Sequence, residues 1–177
     1  MGRRAFFVIL ILAISIGVAS VAYRMVRETE PTVECAQEQS GGFASICGLA
    51  VRIVQGGRDE FLGYEPIEGS LALAALHEAL ETMGFDEYQG SEALKIFDGL
   101  QELPSTQYAY TDSDGRFSFS VLSGAHIVCV AYKYPYPGDQ DWQFHTCETA
   151  AAELDHPVKL LVTFTPQVRR FDISEQD

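Results

Sequence analysis

The hydrophobic pattern divides the chain into segments of different period. Ala5 to Ala22 is an unbroken, mostly apolar run without a charge. Further on, Leu49-Ala-Val51-Arg-Ile53-Val alternates apolar and polar residues and predicts a strand, with a loop from Gly56-Gly57 to Pro66. Leu73, Leu76, Leu80 and Met83 then recur at three- and four-residue steps, with Ala72, Ala75 and Ala79 filling the same side. That spacing predicts a helix with Ser70 as its N-cap and Gly84 as its stop. Leu94, Phe97 and Leu100 predict a second helix between Ser91 and Pro104. Joined by Phe85–Gly90, the two make a helical hairpin over about residues 70–103.

After Pro104 the period falls to two. Tyr108-Ala-Tyr110 leads into the turn Thr111-Asp-Ser-Asp-Gly115, and Phe117, Phe119 and Val121 then alternate with Arg116, Ser118 and Ser120. Ser123-Gly124 reads as a turn that sends the chain back as the strand Ala125–Tyr132, and Val158–Phe164 is a final strand. At least four strands with one helical block make the chain mainly β.

The apolar run Ala5–Ala22 sits between Arg3-Arg4 and Arg24/Arg27. Its length is at the lower end of what spans a bilayer as a helix, so residues 1–27 read as a membrane anchor. A cleaved signal peptide is the alternative, because Ser20-Val21-Ala22 offers the small residues that a signal peptidase accepts. Both readings export residues 28–177, giving a single-pass membrane protein with an outward C-terminal domain, or a secreted or periplasmic one. Residues 28–44 are acidic and poor in periodicity, which reads as a linker, with the domain at 45–177. All four cysteines, Cys35, Cys47, Cys129 and Cys147, follow the apolar run, as a disulfide framework in an oxidising compartment requires. Three pairings are possible. Cys35–Cys47 and Cys129–Cys147 are favoured because each closes a short loop.

Charge narrows the partners. The formal net charge is -13, but all 25 acids and only 8 of the 12 bases lie in residues 28–177, which leaves -17 there. A duplex binder needs basic residues to displace counterions, so nucleic acid is excluded as a partner. The membrane is contacted through the N-terminal segment, because an acidic body is repelled by anionic lipid.

The run Thr111-Asp-Ser-Asp-Gly-Arg-Phe-Ser-Phe-Ser-Val-Leu-Ser-Gly-Ala-His-Ile-Val-Cys-Val-Ala-Tyr resembles the carboxypeptidase regulatory-like domains. The pattern shared is Thr-Asp-x-x-Gly-x-Phe-x-Phe, a Leu-x-x-Gly turn, and an alternating strand. A second match is Gly63-Tyr-Glu-Pro66-Ile67-Glu-Gly69-Ser70, which is similar to the family's Gly-x-Pro-Val-x-Gly-Ala turn into its second strand. Here the chain departs, since Ala/Leu/Glu-rich sequence follows where the family has a β-branched strand, and His126 stands where Tyr is usual. The resemblance implies a transthyretin-like (prealbumin-like) β-sandwich and a non-catalytic stabilising or binding role.

The segment with the most distinctive chemistry is Tyr132-Lys-Tyr134-Pro-Tyr136-Pro-Gly-Asp139-Gln-Asp141-Trp142-Gln-Phe144. Rings on a stiff, Pro-containing loop suit stacking on a sugar or anchoring a protein, so Tyr132, Tyr134, Tyr136, Trp142 and Phe144 are the candidate binding residues. The competing reading folds Tyr132, Trp142 and Phe144 back over the open end of the sandwich. Calcium at Asp112-Ser-Asp114-Gly would need carboxylates at both ends of a loop running from Tyr110 to Val121, and turn chemistry accounts for the same residues. His145-Thr-Cys147 alone does not make a zinc site. No catalytic motif, cofactor loop or metal-ligand set is present in the sequence. The chain therefore reads as a non-enzymatic, extracytoplasmic interaction or accessory module with no cofactor. A carbohydrate-binding module and a small hydrolase with an unrecognised site are the alternatives.

Overall fold

The computed structural model describes residues 31–35, 42–57, 60–85, 92–133, 144–166 and 168–176. The segment expected to anchor or target the chain, residues 1–27, lies outside them. Among the described residues no helix is long and apolar enough to cross a membrane. The chain forms two compact units, Thr32–Arg52 with Pro66–Asp177, and Met1–Pro31 with Ile53–Glu65. In the smaller unit, β2 (Phe61–Pro66) pairs with the end of β1 (Ala44–Gln55), Gly56 N–H donates to the Glu60 carbonyl at 2.7 Å, and Phe61 packs its ring against Tyr64. The loop expected from Gly56 to Pro66 is therefore largely strand.

The larger unit is a two-sheet β-sandwich. In its first sheet β1 is central, with β5 (Arg116–Val121) antiparallel on one side and β8 (Val158–Thr165) parallel on the other. Antiparallel β9 (Arg170–Gln176) completes that sheet beside β8. The second sheet runs β4 (Gln107–Tyr110), β3 (Leu71–Leu76), β6 (Gly124–Tyr132), β7 (Phe144–Ala152), every neighbour antiparallel. Phe117, Phe119 and Val121 face inward, and so do Ile46, Leu160, Val162 and Phe164. Against these aromatics the second sheet sets small side chains, Ala72, Ala74, Ala150 and Ala152. The outer face of the second sheet is also buried. Leu71, Leu73, Ala75, Ile127 and the Cys129–Cys147 disulfide pack there against Ile96, Phe97 and Leu100 of the longer helix, Ala93–Glu102.

That second core corrects the helical hairpin expected over 70–103. Leu71–Leu76 is a strand, and the helices are only α1 (Glu78–Thr82) and α2 (Ala93–Glu102). Alternating Leu and Ala suits a strand buried on both faces, with Leu turned toward α2 and Ala toward the inner core. Such a run carries no polar face to mark its period, and tertiary burial overrides the helix preference of Ala and Leu. Ser70 precedes the strand rather than capping a helix, whereas Gly84, at φ +82°, does end α1. The α2 stripe runs through Ala93, Ile96, Phe97 and Leu100, and Leu94 is exposed. The expected β5–β6 hairpin is also absent, because Leu122-Ser123 carries the chain from one sheet to the other. Alternation fixes which side chains face in, not which strand is the partner.

One buried knot ties the sheets together at the end where β3 begins and β4 stops. Thr111 accepts from Ser70 N–H at 2.8 Å through its hydroxyl, which donates to the Ile67 carbonyl at 2.7 Å. Ile67 N–H reaches the Ala50 carbonyl on β1 at 2.9 Å, and Ala50 N–H reaches the Gly115 carbonyl at 2.8 Å. Gly115 has φ +78°, and a Cβ there would be driven into the Ala50 carbonyl. Asp112 Oδ1 accepts from Asp114 and Arg116 N–H and so closes the turn.

Both favoured disulfides are present, Cys35–Cys47 and Cys129–Cys147. Cys129 and Cys147 oppose each other across β6 and β7. Of the stretch read as a linker, 28–44, Thr32–Cys35 is docked and Ala44 begins β1. Val33 is buried and its N–H donates to Gln176 Oε1 at 3.0 Å, Glu34 pairs with Arg116 at 3.6 Å, and Cys35 is bonded to Cys47. These partners lie on β9, β5 and β1, so the segment crosses the outer face of the first sheet as a strap.

The knot yields a stability test. Thr111→Val leaves the Ile67 carbonyl and Ser70 N–H buried without a partner and is expected to destabilise by about 1–3 kcal/mol in urea unfolding, while Thr111→Ser loses less than half of that. Ser70 is fully buried and its hydroxyl finds no partner among the described residues. Ser70→Ala is therefore expected to be neutral or stabilising by up to ~1 kcal/mol, and a loss as large as that of Thr111→Val would contradict the assignment.

Candidate functional site

The aromatic segment singled out from sequence joins β6 to β7, so its ends are set by the pairing of those strands. Tyr132 and Phe144 are directly opposite each other in the antiparallel ladder. Both rings pack on Phe164 of β8, Tyr132 at 5.1 Å and Phe144 at 4.8 Å between centroids. Phe171 of β9 adds a further ring at 6.1 Å from Tyr132. Tyr132 is buried and Phe144 half-buried, so these two candidates build the end of the sandwich core rather than an open surface. Aromatic pairs at these separations contribute about 0.5–1.5 kcal/mol beyond their buried area, which makes the base of the segment rigid. Tyr134, Tyr136 and Trp142 lie outside the described residues.

One residue beyond Phe144, His145 turns to the other face of the sheet, toward α2. Its ring meets the Phe97 ring edge-on, centroids 4.9 Å apart. Burial pulls its pKa below the ordinary 6.5, and the Asp98 carboxylate partly opposes that shift. In register with His145 across the sheet are Ala131, Leu71 and, on the edge strand, Tyr110, which is exposed. Sequence reasoning did not select Tyr110, Phe97 or Asp98. The alternation of Tyr108 and Tyr110 marks a strand with aromatics on one side, but only the register places them on the face shared with His145.

Other polar candidates are engaged elsewhere. Cys147 is committed to its disulfide, so His145-Thr-Cys147 offers one ligand and not two. Among the described residues no group of three or more His, Cys, Asp or Glu is placed to hold a metal ion. His126 is buried with Nδ1 at 3.0 Å from the Gly124 carbonyl, and His156 lies beside Glu153 at 3.8 Å on the surface. This end of the sandwich therefore offers a rigid aromatic base, one half-buried imidazole and an exposed tyrosine, a constellation suited to contact.

The lowered pKa of His145 has a defined sign. The unfolded chain binds the proton more tightly than the folded one, so stability is diminished at pH values below the folded pKa and recovers as pH rises through about 6.5. Thermal midpoints are expected to fall on acidification through that window, and His145→Phe is expected to flatten that part of the profile. An unchanged slope in His145→Phe would refute the assignment.

Comparison with known proteins adds little. No family model and no curated protein matches the chain. Among solved structures, Lip of Serratia marcescens, a membrane-bound component of the type VI secretion system, aligns over 76% of this chain and 97% of its own. Its sequence identity is 6% and its TM-score 0.36, a likeness too slight to bear on family or function.

Proposed function

We propose that the chain is an exported, non-catalytic interaction module of the carboxypeptidase regulatory-like, prealbumin-like type, tethered by Ala5–Ala22 or released when that segment is cleaved. The reading is supported by a strand after Gly69-Ser70, where the family also has one, although its Leu/Ala composition and His126 still depart, and by the knot that joins the two matched turns, residues 63–70 and 111–117. Export is supported by two disulfides, which persist in oxidising compartments.

The observation that carries the binding role is the clamped Tyr132–Phe144 pair. Tyr132 and Phe144 are held opposite each other on a base of Phe164 and Phe171, so the ends of the segment that carries Tyr134, Tyr136 and Trp142 are fixed before any partner binds. Its partner is a protein surface or a glycan that offers a flat face to Tyr and Trp.

Packing and presentation make opposite demands on Trp142. If it serves a partner, Trp142→Ala is expected to leave unfolding within about 0.5 kcal/mol of the parent, as surface substitutions do. A loss of about 3–5 kcal/mol would make it a core residue and remove the motive for the reading. Thiol labelling of the full chain in cells is expected to reach no cysteine before reduction and four after it, and four reactive thiols without reduction would overturn export.

A further inference from the structure

Among the described residues, three outer strands of the larger unit are closed against further pairing. β5 is clasped at both ends, where Asp112 N–H donates to the Arg116 carbonyl at 3.0 Å and Gln107 Nε2 to the Ser120 carbonyl at 2.9 Å. β7 and β9 run close beside each other across the side of the sandwich, and Arg170 and Asp172 pair on β9. β4 has none of these protections. It bonds to β3 on one side, and among the described residues no strand pairs with the other.

The register shows which groups that edge presents. Thr111 N–H donates to the Ser70 carbonyl at 2.9 Å, and the Thr111 carbonyl accepts from Gly69 N–H at 3.0 Å, so the Thr111 backbone faces β3. Alternation points the Ala109 backbone the same way and aims the N–H and C=O of Tyr108 and Tyr110 out of the sheet. The two rings stand on the outer face in line with Leu73 and Leu71, Tyr108 50% and Tyr110 64% exposed. Tyr108 is fixed there by its hydroxyl, which donates to the Gln101 carbonyl at 2.9 Å. Gln107 and Ala109 lie on the inner side, in line with Ala74 and Ala72. This is an uncharged edge on a strongly acidic domain.

Charge stands at its two ends. Glu102 closes α2 beside the carbonyl that Tyr108 holds, and Asp112 and Asp114 follow Tyr110. Arg116, the one base between Gln101 and Val121, is paired with Glu34. A second copy of the chain would bring the same acids to the edge, whereas a basic strand offsets them.

We infer that the free edge of β4 takes up an extended segment of a basic protein partner by strand addition. The added strand bonds to the backbone of Tyr108 and Tyr110 and sets β-branched side chains beside their rings. Small side chains lie beside Ala109, with Lys or Arg near Glu102 and Asp114. The contact depends on neither the N-terminal segment nor the segment between Tyr132 and Phe144.

The test adds a labelled synthetic peptide of Thr-Val repeats, flanked by lysines, to the purified full chain, and reads amide exchange and fluorescence anisotropy. Amides of Tyr108 and Tyr110 are expected to exchange more slowly with the peptide bound, while Ala109, already bonded to β3, is unchanged. Tyr110→Pro removes an outward N–H that the ladder does not use, so it is expected to keep the fold and weaken binding about tenfold. Glu102→Lys and Asp114→Lys are each expected to weaken it about threefold at low salt. Absence of saturable binding overturns strand addition. So does equal binding by a peptide N-methylated throughout its repeats, a control that needs no variant to fold. Unchanged affinity in both lysine variants overturns the basic character of the partner. A full chain that sediments as a dimer, and is dissociated by Tyr110→Pro, gives the edge to a second copy and overturns the proposal as well.

Discussion

The hydroxyl of Thr111 is the point on which the sandwich turns. It lies where the chain leaves the second sheet for the first, and it satisfies both an acceptor and a donor in the segment leading to β3. Through Ile67 and Ala50 the same network reaches Gly115 at the entry to β5. Three segments distant in sequence, at Ala50, Ile67–Ser70 and Thr111–Gly115, are therefore held by buried groups that have no water to fall back on, and an unmade bond there is expensive. Gly115 is required because any side chain would occupy the space of the Ala50 carbonyl.

Around that knot the two sheets solve different burial problems. The inner core is filled unevenly, with Phe117, Phe119, Phe164 and Phe171 of the first sheet facing Ala72, Ala74, Ala150 and Ala152 beside Val128, Val130 and Tyr132 of the second. Small residues on one side make room for large ones on the other, as close packing requires. The second sheet would then expose Leu71, Leu73 and Ile127 on its far face, and α2 covers them with Ile96, Phe97 and Leu100. The first sheet is crossed instead by the strap, held by a disulfide, a hydrogen bond and an ion pair. The exposed Arg116–Glu34 pair adds little, so the covalent bond and buried Val33 fix the strap.

The ends of the sandwich differ in the same physical terms. At one, aromatic rings are consumed in packing and hold a segment rich in further aromatics. At the other, Phe43, Leu76, Leu122 and Leu154 remain on the surface.

Sequence by itself determined the elements whose period has a polar face to reveal it. Phe117, Phe119 and Val121 alternate with Arg116, Ser118 and Ser120, and their inward direction is as expected. Helix α2 was legible for the same reason, its apolar stripe read one residue out of place at Leu94. Short loop closure was enough to favour the two disulfides correctly. Tertiary structure decided the rest. Leu71–Leu76 is apolar on both faces, so its period was hidden until the inner core and α2 were in place. The partners of β5 and β6 could not be read, because alternation is identical whether a strand pairs with its neighbour in sequence or crosses to another sheet. The aromatic segment was conspicuous in sequence. That Tyr132 and Phe144 form its buried base depends on Phe164 and Phe171, contributed by strands that follow it in the chain.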